Sequence, residues 1–222
     1  MIPPDADAEF VAGMEAVLDT YAEPLDRAVP QINMDEQPVQ LLKEKRTPVP
    51  ATTGHPKRVD HEYERAGTAS LFLFCEPKTG WRQVTVRERR TKVDWAHEVA
   101  ELLRTRYAAA TRVVLVCDNL NTHTPGAFYQ AFDPQTARSL VQRLEFRYTP
   151  KHGSWLNVAE CELSAMTRQC LAGRRFGTIE ELQAETAAWA THTNAHQRGV
   201  DWQFQTADAR TKLRSLYPKV VA

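Results

Sequence analysis

The apolar run Val113-Val114-Leu115-Val116-Cys117 closes on an acid, Asp118, with Asn119 behind it. A strand with one wet face alternates apolar and polar residues. Five apolar residues in succession therefore predict a strand covered on both sides, as in a sheet with helices on each face. The chain, at 222 residues, is long enough to build one such domain with a sizeable core.

The flanking segments agree. Phe10, Val11, Met14, Val17, Leu18 and Tyr21 recur at spacings of three and four, predicting an amphipathic helix over 7–22 that ends before Pro24. A short strand is expected over 29–35. Residues 44–67 mix Pro48, Pro50, Gly54, Pro56 and Gly67 with basic side chains and read mostly as loop. Residues 69–75 and 83–86, separated by Pro77-Lys78-Thr79-Gly80, read as a hairpin. Helical spacing returns over 92–108, then around 135–143, 154–171 and 178–194, with a strand at 144–149. This order implies a mixed α/β sheet with helices on both faces.

In such sheets ligands gather at the carboxyl ends of the parallel strands. Asp35 and Asp118 each end an expected strand. Glu160 lies on the expected helix 154–171, beside an apolar stripe of Leu156, Ala159, Leu163 and Met166. By helix geometry Glu162 lies about 200° further round and is expected to face solvent. Three carboxylates on rigid elements suit hard divalent cations, and two such ions about 3.5–4 Å apart can activate the nucleophile and stabilise the leaving oxygen of a phosphodiester. Taken singly, each acid is better explained as a turn, capping or solvated residue, and only the joint pattern favours a site.

Whole-chain properties remove other classes. No apolar run approaches the ~18 residues of a membrane span, and Met1-Ile2-Pro3-Pro4-Asp5-Ala6-Asp7 lacks the basic and apolar parts of a signal peptide. The chain is expected to be cytoplasmic. Cys75, Cys117, Cys161 and Cys170 show no C-x-x-C spacing, which argues against a disulfide framework or cysteine-bound zinc. His192 and His196 have a zinc-compatible spacing but lack an evident third ligand. With 28 Lys plus Arg against 28 Asp plus Glu, the chain has no global positive field of the kind that commonly marks a nucleic-acid binder, which counts against a DNA-binding role.

Two motifs narrow the reading further. Asp118-Asn119-Leu120-Asn121-Thr122-His123, followed by Ser154-Trp155-Leu156-Asn157-Val158-Ala159-Glu160, closely resembles the DDE transposases of the mariner-like "six-thirty" bacterial insertion sequences. The likeness extends to Met34-Asp35-Glu36, to Arg65-Ala66-Gly67-Thr68 and to Asp201-Trp202-Gln203-Phe204. It implies a ribonuclease-H-like fold, here a mixed five-stranded sheet, in which Asp35, Asp118 and Glu160 bind two Mg²⁺ ions, with Mn²⁺ able to substitute. It also implies cleavage at transposon ends, strand transfer into target double-stranded DNA, and a homodimer on DNA. The 41 residues between Asp118 and Glu160 exceed the family's usual interval, and the excess is expected as a loop near Gly126–Pro134.

On this resemblance, residues 1–28 form a linker-helix region and 29–222 the DDE catalytic domain. The helix-turn-helix modules usual in the family are not evident, and a separate helix-turn-helix polypeptide is an expected partner. Asn119, His123, Lys151, His152, Trp155 and Asn157 are candidate DNA contacts. Trp155 has a competing reading as a packing residue, with Ser154 as helix N-cap. Arg87, Arg89, Arg90, Arg174 and Arg175 could meet phosphates, or simply be solvated. Two alternatives stay open: a non-catalytic transposase remnant acting as a folded dimerisation protein, and a host ribonuclease-H-like nuclease.

Overall fold

The structure is a computed structural model that describes residues 7–196 and 198–219; the N-terminal segment read for a signal peptide lies outside them, apart from Asp7. Five strands, β1 (Gln31–Glu44), β2 (Tyr63–Glu76), β3 (Trp81–Arg87), β4 (Val113–Cys117) and β5 (Leu144–Tyr148), form one sheet in the order β3-β2-β1-β4-β5. The first three are antiparallel neighbours, whereas β4 and β5 run parallel to β1. This is the mixed five-stranded sheet expected from the sequence.

Strand alternation divides the side chains between two cores. Ile32 and Met34 of β1, Phe72 and Phe74 of β2, and Val113, Leu115 and Cys117 of β4 point to one face. There they meet Trp95, Val99 and Leu103 of α2 (Lys92–Arg104), Phe128 of α3 (Pro125–Ala131) and Leu140 of α4 (Pro134–Val141). Leu71, Leu73, Cys75 and Val116 point to the other face. They meet α1 (Ala8–Ala22) through Phe10, Met14, Leu18 and Tyr21, and α5 (Val158–Met166) through Ala159, Leu163 and Met166. Leu182 and Trp189 of α6 (Ile179–Ala195) and Ala209 of α7 (Thr206–Lys212) complete that layer. Helix α1, expected as a linker, is packed into the same core as the sheet.

Some boundaries differ from expectation for identifiable reasons. β1 runs nine residues past Asp35, paired with β2 from Asn33↔Cys75 to Glu44↔Tyr63 across a bulge between Gln40 and Leu42. The segment expected as loop over 44–67 is therefore in part a hairpin arm that projects past the core. The interval expected as an enlarged loop instead holds α3, followed by α4, the helix expected around 135–143; Pro125 and Pro134 stand in their first turns, where a missing N–H is harmless. The expected helix over 154–171 is three pieces. A 3-10 turn at Ser154–Leu156 precedes α5, and a π-helical turn follows at Thr167–Leu171. The N-cap of α5 is Asn157, not Ser154.

Candidate active site

The register of the parallel strands assembles the site. Asn33 of β1 pairs with Val116 of β4, so two residues further along, Asp35 stands level with Asp118. Neighbouring strands lie about 4.7–4.9 Å apart. By alternation both carboxylates leave the sheet on the α1/α5 face, opposite the face taken by Met34 and Cys117. Asp118 follows the end of β4 as expected, whereas Asp35 lies within β1, which stays paired with β2 beyond it; both are partly exposed.

Glu160 is brought to them by a buried polar network at the start of α5. The Asn157 carboxamide accepts the Ala159 N–H (3.1 Å) and donates to the Met34 carbonyl (2.9 Å), the residue before Asp35. Asn33 Nδ2 donates to Asn157 Oδ1 (3.3 Å) and to the Tyr21 hydroxyl (2.5 Å), which itself donates to the Leu156 carbonyl (2.6 Å). One amide thus caps the helix carrying Glu160 and ties it to the strand carrying Asp35. Asn157→Ala would remove the cap and leave a buried carbonyl without a partner. The expected loss is about 3 kcal/mol, read as a lower melting temperature, with no loss expected if the network is incidental.

A tight turn returns the chain from β5 to α5. Gly153 donates its N–H to the Pro150 carbonyl at 2.8 Å, and a Cβ there would lie 2.6 Å from Pro150 Cγ, so a side chain would force the turn open. His152 in the same turn adopts φ +66°, in the left-handed region. The turn leaves Lys151 and His152 exposed beside Asp118. With Asn119, Leu120 and Ser154 they line an open cleft of about 330 Å³ next to that acid.

The electrostatics are those of crowded anions. Burial raises the Asp35 pKa; the Glu36 N–H bonded to its Oδ1 (2.8 Å) opposes this; and the charges of Asp118, Glu160 and Glu36 add to the rise, which reaches about 7. Among the described residues no lysine or arginine forms an ion pair with Asp35, Asp118 or Glu160. An all-oxygen, net-negative donor set of this kind fits hard divalent cations. The side chains are neighbours rather than a closed cage, since among the described residues no three His, Cys, Asp or Glu groups are close enough to hold an ion as they stand.

His123 and Asn157 occupy different roles from the DNA contacts expected of them. His123 is fully buried, its Nε2 3.0 Å from Glu36 Oε1 and its Nδ1 2.5 Å from Asp118 Oδ1. Burial alone would lower the imidazole pKa, but contacts with Asp118, Cys117 and Glu36 outweigh it and hold the ring protonated well above the usual range. Asn157 is 1 % exposed and spent on the network above. Trp155 packs against the core, edge-on to Phe204 at 5.9 Å, as its competing reading had it. Asn119, Lys151 and His152 remain on the surface at the site.

Glu162 requires a correction: it is buried at 8 % exposure, not solvated. Three residues after Ala159 and four before Met166, it lies on the buried face of α5 itself, where Arg82 of β3 grips it through Nε (2.5 Å) and Nη2 (2.7 Å). Arg87, Arg174 and Arg175 are engaged with Glu98, Glu185 and Glu44, while Arg89 is exposed. The His192 and His196 rings lie 4.6 Å apart, and neither belongs to a metal-competent cluster among the described residues. Glu36 was not singled out in the sequence. The signal was available, because alternation sends the residue after Asp35 to the opposite, buried face.

Comparison with known proteins agrees with this geometry. Residues 31–183, from the start of β1 into α6 and including all three acids, match the DDE superfamily endonuclease family. The fold matches the crystal structure of the catalytic domain of Mos1 mariner transposase at TM-score 0.56 and 13 % identity, covering 90 % of each chain. It also matches the Mos1 mariner paired-end complex with Mn at TM-score 0.55 and 15 % identity, covering 97 % of this chain and 62 % of that one. For the Mos1 strand transfer complex the values are 0.55 and 16 %, covering 94 % and 57 %. The chain thus spans about three-fifths of the full transposase chains it resembles. No match was found among curated protein sequences. No helix of the described residues is long and apolar enough to cross a membrane. Sheet order, acids side by side on adjacent strands and a sequence match across most of the chain converge, and the chain belongs to the DDE endonuclease superfamily.

Proposed function

We propose that this chain is the catalytic part of a transposase that cuts DNA at transposon ends and joins the freed end to target DNA in a divalent-metal-dependent reaction. The observation that carries the reading is that Asp35, within β1, and Asp118, just past the end of β4, lie side by side on neighbouring strands, with the start of the helix that carries Glu160 tied to β1 beside them. Asp35, Asp118 and Glu160 would hold the ions. When bound, Mg²⁺ or Mn²⁺ supplies nucleophile activation and neutralises the charge developing on the phosphate. Asp35 must release its proton to serve as a ligand, so metal binding strengthens as pH rises through about 7. Lys151 and His152 at the cleft rim are placed to hold a backbone phosphate, and Asn119 to touch the same strand.

The Mos1 structures are titled as paired-end and strand transfer complexes, some with Mn or Mg. By analogy, the substrate here is double-stranded DNA and two copies act together on paired ends. Helix-turn-helix modules, joined to the chain or acting as a separate polypeptide, would select the ends.

The test is nicking of plasmid DNA by the purified protein in Mn²⁺ or Mg²⁺. Glu160→Gln is expected to lower the rate by about 10³-fold or more, the scale of several kcal/mol of lost charge stabilisation. Equal nicking by both proteins would sink the assignment. Cleavage of RNA–DNA hybrids without any strand joining would instead favour a ribonuclease-H-like nuclease.

A further inference from the structure

The sheet face opposite the three acids carries a second, sealed construction. Glu36, one residue past Asp35, points away from the site and its side chain is only 3 % exposed. Its Oε1 meets His123 Nε2 at 3.0 Å, and the same ring's Nδ1 lies 2.5 Å from Asp118 Oδ1. The contact at Oδ1 lacks hydrogen-bond alignment, and Oδ1 is itself buried. Because the Asp118 side chain as a whole is 34 % exposed, its open oxygen is Oδ2.

The ring between these carboxylates has little freedom. Trp95 lies against it with centroids 5.3 Å apart and planes 30° from parallel. The His123 backbone is held at both ends, its N–H donating to the Leu120 carbonyl (3.1 Å) and its carbonyl accepting the Tyr148 hydroxyl (2.8 Å). Asp118 itself lies just beyond the last paired residue of β4, where sheet hydrogen bonds no longer fix it. The Glu36–His123 pair therefore links β1 directly to the loop that carries Asp118. Arg90, 4.0 Å from Glu36 Oε2 and about half exposed, is a peripheral contact to the same acid.

We propose that His123 and Glu36 are positioning residues that occupy Asp118 Oδ1 and so present Oδ2 alone to a divalent cation; this rests on the reading of Asp118 as a metal ligand. Partners that orient a metal ligand in this way typically contribute 10- to 100-fold in metal affinity. A packing role alone would affect the stability of the metal-free fold and leave the affinity of the folded protein for metal unchanged.

The experiment measures Mn²⁺ binding to the purified full chain by electron paramagnetic resonance, beside thermal denaturation in EDTA, for wild type, His123→Gln, Glu36→Gln and Asp118→Asn. Wild type is expected to bind Mn²⁺ and Asp118→Asn to bind it far more weakly. His123→Gln is expected to weaken binding roughly 10- to 100-fold. Glu36→Gln, whose amide oxygen can still accept from the ring, should fall between His123→Gln and wild type. If His123→Gln does not fold, Glu36→Gln carries the comparison. Wild-type affinity in every folded His123 and Glu36 variant, with Asp118→Asn weakened, overturns the positioning role alone. If wild type and Asp118→Asn bind Mn²⁺ equally, the metal-ligand reading fails, and the positioning role falls with it.

Discussion

Asp35→Asn is expected to abolish metal-dependent DNA cleavage, by about 10³-fold or more, while making the metal-free fold more stable at pH 8. The two effects share one cause. Burial and neighbouring carboxylates raise the Asp35 carboxyl from an ordinary 3.8 to about 7 in the folded chain. Between about pH 4 and pH 7 the folded state holds a proton that the unfolded state has released. Stability therefore falls as pH rises through that window, and the deficit persists above it. At its upper limit the deficit is about 4 kcal/mol, worth some 2–4 °C per kcal/mol in a chain of this size. Asparagine cannot ionise and escapes the deficit. In EDTA, the Asp35→Asn protein should melt several degrees above wild type at pH 8 and close to it at pH 4. Mn²⁺ should raise the wild-type melting temperature at pH 8 much more than at pH 5.5, because only the ionised carboxylate competes for the ion. A wild-type melting temperature that is flat between pH 4 and pH 8 in EDTA would remove the basis for the stability claim.

Legibility in the sequence followed burial. β4 was readable because each of its five residues is sealed and therefore apolar. The outer half of β1 was not, because between Gln37 and Glu44 only Leu41 is buried and Pro38 interrupts the run, so no apolar stretch marks a strand there. α3 was hidden by Pro125-Gly126, residues that usually signal a loop but here occupy a first turn. Asp118 was readable from the strand-end rule, and Asp35 was picked out by the same rule although its strand continues past it; their relative height depends on the β1/β4 register, which no local pattern specifies. His123 illustrates a harder limit. Its place in the motif marks it as part of the site, but only the fold shows that it reaches the site from beneath the sheet.

Glu160 and Glu162, two residues apart on one helix, should respond to substitution in opposite ways. The buried residues of α5, Val158, Ala159, Glu162, Leu163 and Met166, form one broad face in which Glu162, three residues after Ala159 and four before Met166, meets Arg82 of β3, whereas Glu160 borders that face on its other side. Glu162→Ala would leave the Arg82 guanidinium buried, with only the Gly80 and Arg198 carbonyls as acceptors. Removing one partner of a buried pair typically costs about 3–5 kcal/mol, and the remaining acceptors place the expected loss near the lower end. Replacing both residues, as Arg82→Met with Glu162→Leu, should recover much of that loss, since the unpaired charge is then gone as well. Glu160→Gln lies at a partly exposed position without an ion-pair partner, so its stability should stay within about 0.5 kcal/mol of wild type while cleavage collapses. Urea midpoints and nicking rates on the same four proteins separate the cases. If Glu162→Ala were as stable as wild type, the buried pair would contribute nothing measurable. If Glu160→Gln unfolded instead, its loss of cleavage would say nothing about chemistry, and the division of labour between the two acids would fail.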